Sequence, residues 1–202
     1  MFLAAALPFS ANAISAQKAI LMDGNTGRIL FEKSANSRSL IASTTKIMTA
    51  LVVCEQCNVL DRVKIPKEAV GIEGSSLYLQ EGEVLTIQEL LYGLMLHSGN
   101  DAAVALAIYC AGTIEEFAQM MNDKARVLGM KNTNFVTASG LDNEYHYSTA
   151  YDMALLACEC IKNPEFLSIC SRKTAKLTYG NPPYPRTLTN HNRLLWSYEG
   201  CI

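Results

Sequence analysis

The chain has 202 residues, 50% of them hydrophobic and 18% charged, with 17 basic against 19 acidic side chains and a net charge of -2. That length suits one domain, or one and part of another, with enough apolar material for a sizeable core. The near-neutral balance, with no Lys/Arg cluster, excludes an electrostatic footprint for nucleic acid. No apolar run reaches the ~18–20 residues that carry a helix across a bilayer.

Taken in chain order, Phe2 to Phe9 is a short apolar run, and Ala11-Asn12-Ala13 follows the small-x-small rule of a signal-peptidase site. Residues 1–13 therefore read as the remnant of a signal peptide that lacks its basic n-region, and residues 14–202 as the exported domain. Gln17 to Asp23 and Arg28 to Glu32 are short apolar runs around Asp23-Gly24-Asn25-Thr26-Gly27, which predicts a β-hairpin. A helical pattern follows from Ser43 to about Gln56, with Ile47, Ala50, Leu51 and Cys54 spaced three and four apart. Thr86-Ile87-Gln88-Glu89 and Thr113-Ile114-Glu115-Glu116 have the form of capping boxes in front of further helices.

Asn100 to Cys110 is apolar almost throughout, the pattern of a helix buried on all sides. Ser148 to Ile161 predicts another helix, and Asn163-Pro164 the start of a short one. Ala175 to Tyr179 and Arg186 to Thr189 read as strands around the proline-rich loop from Gly180 to Pro185. A hairpin, then a helical block, then strands again indicates an α+β fold. Two strands alone are marginal in water, so the first hairpin belongs to a sheet with more strands.

Seven cysteines, an odd number, cannot pair completely within one chain. Cys54-x-x-Cys57 has the spacing of a redox pair or half a zinc site. It lies in an apolar stretch, however, and no second such pair follows, so the thiols read as small buried hydrophobes. Neither metal nor cofactor is expected.

Ser43-Thr44-Thr45-Lys46 is the first segment that carries chemistry. A serine hydroxyl at a helix N-terminus and a lysine amine one turn later share a face, and the helix dipole favours a developing alkoxide. The lysine serves as a base only where burial or a second cation lowers its pKa. Taken alone, the tetrapeptide is equally a serine N-cap followed by a solvated lysine. Downstream, His97-Ser98-Gly99-Asn100-Asp101 precedes the most apolar helix. Ser98 or Asn100 is there either a helix cap, or the two are a proton relay (Ser98) and a hydrogen-bond partner for Lys46 and a substrate amide (Asn100). S-x-x-K followed by a Ser-x-Asn turn matches two of the three signatures of serine acyl-transfer enzymes that react with penicillin.

Beyond these motifs, Ile41 to Ala50, Gly82-Glu83, Leu90 to Leu96, Ser98 to Ala103, Leu128-Gly129-Met130, Gly140-Leu141-Asp142 and His146 to Ala150 resemble the D-alanyl-D-alanine carboxypeptidases. These are low-molecular-mass penicillin-binding proteins of bacterial cell-wall metabolism, and the similarity runs from about Ala16 to Cys201. The resemblance implies a β-lactamase/transpeptidase-like fold and a location outside the cytoplasmic membrane, periplasmic or extracellular. It implies Ser43 as nucleophile, Lys46 as general base, and Ser98 and Asn100 as proton-transfer and substrate-binding residues. The substrate would be a peptidoglycan stem peptide ending in D-Ala-D-Ala, and β-lactams would acylate the same serine.

The family's third signature, a Lys-Thr-Gly strand that binds the substrate carboxylate and completes the oxyanion hole, is not among these residues. The sequence thus reads as a fragment of the catalytic domain with impaired turnover. The hairpin residues Ile20, Met22, Ile29 and Phe31 would then lack strand neighbours and leave an edge open to self-association. Two other readings remain: a β-lactam or peptidoglycan binder without turnover, and a class A-like β-lactamase. The Ser98-Gly99-Asn100 turn and the context of Glu159 and Glu165 fit the β-lactamase less well. His146 and Asp152 either border the active-site cleft or stand at the entry to a helix, and the capping-box spacing of Thr149 and Asp152 favours the helix entry.

Overall fold

A computed structural model describes residues 14–141 and 143–201; the signal-peptide reading and Asp142 lie outside the described residues. Strands β1 (Ala19–Met22) and β2 (Ile29–Lys33) form the antiparallel hairpin, with Leu21 opposite Phe31 and Ile20 opposite Glu32. Its turn is held by the Asp23 carboxylate, which accepts from the Asn25 and Thr26 backbone N–H groups and the Thr26 hydroxyl. A 3₁₀ turn, Ala42–Thr45, leads into α1 (Lys46–Gln56). The predicted helix over 43–56 is therefore two kinds of helix joined at Lys46, and Ser43 sits in the tighter one.

The central helices are α2 (Ile87–His97), α3 (Asn100–Ala111) and α4 (Ile114–Val127). Thr86 and Glu89 form the reciprocal capping box at the start of α2, and Thr113 caps α4. From Asn100 to Ala107, α3 is buried on every side, and Tyr109 returns to the surface. Its alanines let neighbouring helices approach closely. Leu51, Leu90, Leu94, Leu106 and Phe117 form the centre of the core. Helices α5 (Ala150–Cys160) and α6 (Pro164–Cys170) start at Thr149 and Asn163, whose side chains cap them.

Two three-residue strands, β3 (Arg62–Lys64) and β4 (Val84–Thr86), pair antiparallel and were not foreseen. Runs this short carry no readable period, and their pairing is non-local. The last pair, β5 (Thr174–Tyr179) and β6 (Tyr184–Thr189), extends through Pro185 of the predicted loop. Leu194–Ser197 forms the one-turn helix α7.

The β1–β2 hairpin does not stand alone. Ile20 and Met22 face α5 across an apolar groove of about 580 Å³ lined also by Met153, Ala154 and Ala157. Leu21, Leu30 and Phe31 are exposed. Among the described residues no third strand joins β1 and β2, so Ile20, Met22, Ile29 and Phe31 have no strand neighbours beyond the hairpin, as expected. Ile20 and Met22 pack on α5 instead, while Ile29 and Phe31 stay exposed with Leu21.

The thiols sit mostly against the core. Burial pushes Cys54 and Cys160 up to about 12, which leaves them protonated and unreactive.

Candidate active site

Ser43 is exposed at the surface of its 3₁₀ turn, and its side chain does not cap a helix. The preceding Ala42 is left-handed, with φ of 44°, a conformation that costs a non-glycine residue about 1–3 kcal/mol unless its surroundings enforce it. They do so through Gly140. A Cβ on Gly140 would lie 1.9 Å from the Ala42 carbonyl oxygen and 2.6 Å from Thr45 Oγ1. Only glycine lets the 137–141 segment lie flat on the turn that carries Ser43.

Lys46, one turn after Ser43, is 2% exposed. Its Nζ reaches Ser43 Oγ at 3.1 Å, Asn100 Oδ1 at 2.7 Å and the Ser139 carbonyl at 2.7 Å. Burial lowers its pKa from 10.5 to about 8. A neutral amine has two hydrogens and one lone pair. Asn100 Oδ1 and the Ser139 carbonyl can only accept, so they take the two hydrogens, and the lone pair is left facing the Ser43 hydroxyl. That is the geometry of a base poised on a nucleophile.

Asn100 opens α3 and is 5% exposed. Its Nδ2 donates to the Glu73 carbonyl at 2.7 Å, which fixes Oδ1 toward Lys46. Its backbone N–H donates to the Ser75 carbonyl, also at 2.7 Å. Gly74 makes this approach possible: its φ is +85°, and a Cβ there would lie 2.8 Å from Asn100 Nδ2. The segment is held from below by Asp101, whose carboxylate accepts from Ser76 Oγ and from the backbone N–H groups of Leu77 and Leu79. Neither Ser98 nor Asn100 caps α3 with its side chain; Gly99 occupies the N-cap position.

Ser98 ends α2 in the left-handed conformation, φ 60°. It lines a cleft of about 290 Å³ together with Ser43, Lys46, Ile47, Leu94 and Met95. The structure thus brings Ser43, Lys46 and Asn100 into direct contact and places Ser98 on the wall beside them, outside the contacts of the Lys46 amine.

Sequence reasoning missed the Ser139 carbonyl, Gly140, Gly74 and Asp101. A main-chain acceptor has no residue-type signal, and a glycine's role depends on what approaches it. Asp152 is at the helix entry as expected, with Thr149 Oγ1 accepting from its N–H; its carboxylate turns to Asn132 N and Thr133 Oγ1. His146 does something else, since its ring contacts Thr45 in the Ser43 turn at 2.7 Å.

The role of Gly140 is testable. Gly140→Ala is expected to destabilise the protein by at least about 2 kcal/mol, because a strained φ and a backbone clash combine. Gly129, at φ +76° with nothing within 4 Å of a Cβ, supplies the control, since Ala there incurs only the conformational cost of about 1 kcal/mol. Urea midpoints that fall equally for both would mean the 137–141 segment does not press on Ala42.

The fold is of the transpeptidase-like class, and a serine–lysine pair lies at the start of its first long helix. The model of the D-alanyl-D-alanine carboxypeptidase family matches residues 5–201, and the chain belongs to that family. It is 39% identical over 193 residues to D-alanyl-D-alanine carboxypeptidase DacF of Bacillus subtilis, covering 93% of this chain and 49% of that protein. It is also 39% identical to DacC of Escherichia coli, over 93% of this chain and 48% of that protein. The crystal structure of a D-alanyl-D-alanine carboxypeptidase from Mycobacterium tuberculosis superimposes with a TM-score of 0.86 at 31% identity, over 92% of this chain and 70% of that one. The chain spans about half the length of the curated relatives it matches.

Proposed function

We propose that the protein is a serine-type D-Ala-D-Ala carboxypeptidase that trims peptidoglycan stem peptides outside the cytoplasmic membrane. Residues 14–202 would contribute the nucleophile-bearing part of its catalytic domain. The observation that carries this reading is the buried Lys46 amine, held by two acceptors with its third direction on Ser43 Oγ.

In this mechanism Ser43 Oγ attacks the carbonyl carbon between the two D-alanines while its proton passes to Lys46 Nζ. The backbone N–H of Ser43 is one donor to the oxyanion. Collapse of the tetrahedral intermediate breaks the peptide C–N bond, and the proton moves from Lys46, with Ser98 as relay, to the leaving D-alanine nitrogen. Asn100 keeps the amine in line, and the second N–H of its carboxamide is directed to the substrate. Water then attacks the ester, regenerates Ser43 and releases the shortened peptide. A β-lactam follows the same path to the acyl-enzyme, but its leaving nitrogen stays tethered.

The test is fluorescent penicillin labelling alongside D-alanine release from a diacyl-D-Ala-D-Ala peptide, with the full-length protein. A carboxypeptidase retains the label for a time and also releases D-alanine. Label retained without D-alanine release would identify a binder, and rapid loss of label without peptidase activity a β-lactamase. Either outcome overturns the proposal.

A further inference from the structure

The segment from Phe135 to Leu141 grips the start of α1 at more points than the Lys46 amine. Thr49 Oγ1 donates to the Ala138 carbonyl at 2.7 Å, and Lys46 Nζ donates to that of Ser139 at 2.7 Å. A third link runs through His146, which is 2% exposed and whose ring is edge-on to Phe135. The Val136 backbone N–H donates to its Nδ1 at 3.1 Å. A backbone N–H cannot accept, so Nδ1 carries the lone pair and the neutral ring bears its hydrogen on Nε2. That hydrogen is then donated to Thr45 Oγ1, 2.7 Å away. Burial lowers the pKa of His146, which keeps the ring in this neutral form at neutral pH.

Thr45 lies between Ser43 and Lys46 and is fully buried. In the 3₁₀ turn, Ser43 faces the cleft while Thr45 faces the segment behind it. Any rotation of the turn changes the distance from Ser43 Oγ to a lysine amine tethered to Asn100 and Ser139. We propose that His146 is a positioning residue for acylation: its neutral imidazole braces Thr45 against the Val136 backbone and so sets the Ser43 turn relative to the Lys46 amine. This rests on the reading of Ser43 and Lys46 as nucleophile and base. His146 itself touches no reacting atom.

The experiment measures the acylation rate of the full-length protein by a chromogenic β-lactam, at saturation and at half-saturation, with melting curves for every variant. His146→Leu removes the hydrogen bonds to Thr45 and Val136, and the longer one from the Thr137 N–H, at similar volume. It is expected to slow saturated acylation about 10–100-fold, as a misplacement near 1 Å would, while half-saturation moves less than about threefold. His146→Gln keeps an acceptor for Val136 and a donor for Thr45, and should restore most of the rate. Thr45→Val should reproduce the defect, and the double variant should be no slower than the worse single one, because both break the same link.

Should His146→Leu fail to fold, Thr45→Val and His146→Gln carry the same comparison. Parent-like rates in folded Thr45→Val, fully additive effects, or a change confined to half-saturation would each overturn the proposal. Ser43→Ala separates the two levels of the argument. If it still takes the label, the reading of the site has failed. If it is silent while the His146 and Thr45 variants acylate normally, only the positioning role has failed.

Discussion

Lys46→Met should slow acylation by a β-lactam about 10²–10⁴-fold, the usual contribution of a positioned general base. Lys46 is 2% exposed, and burial brings its pKa down to about 8. The sign of the pH effect follows. Below about 8 the nitrogen carries a third proton and has no lone pair for the Ser43 hydroxyl. Acylation should therefore rise about tenfold per pH unit on the acid side and level off above the pKa. Lys46→Arg keeps the positive charge but cannot give up its proton, so it should rescue nothing. A rate that stays flat between roughly pH 6 and 9, or an active arginine variant, would remove Lys46 from the role of base.

The largest loss of stability is expected from Asp101→Ala. The residue is 1% exposed, and its carboxylate accepts from Ser76 Oγ at 2.7 Å, Leu77 N at 3.0 Å and Leu79 N at 3.1 Å. Alanine strands these donors in the interior, at about 1–3 kcal/mol for each one that water cannot reach. A total of about 3–5 kcal/mol follows, or roughly 6–20 °C in melting temperature for a domain of this size. The loss extends to the site, because the same segment presents the Glu73 carbonyl to Asn100 Nδ2. Labelling by penicillin should fall in the folded fraction as well. A melting temperature lowered by less than about 2 °C would mean that segment 73–79 is held by something other than Asp101.

The sequence by itself determined the elements that depend on near neighbours. The Asp23–Gly27 turn, the Thr86–Glu89 box, the Thr113, Thr149 and Asn163 caps and the apolar α3 all rest on residues within a few positions of one another. The serine–lysine spacing was legible for the same reason, since three residues in a helical stretch put both side chains on one face.

Only the tertiary structure decided whether that lysine is a solvated cation or a base. Its pKa is set by burial beneath Asn100 and Ser139, which are 54 and 93 residues away in the chain. The same holds for His146, read from spacing as a helix-entry residue and found against Thr45, 101 residues earlier. It holds too for Gly74 and Gly140, whose missing Cβ atoms matter only because Asn100 and Ala42 come close. Periodicity and capping are local and leave a pattern in the chain. Desolvation and close packing belong to whatever the fold brings alongside, and a main-chain carbonyl such as that of Ser139 leaves no mark in the sequence at all.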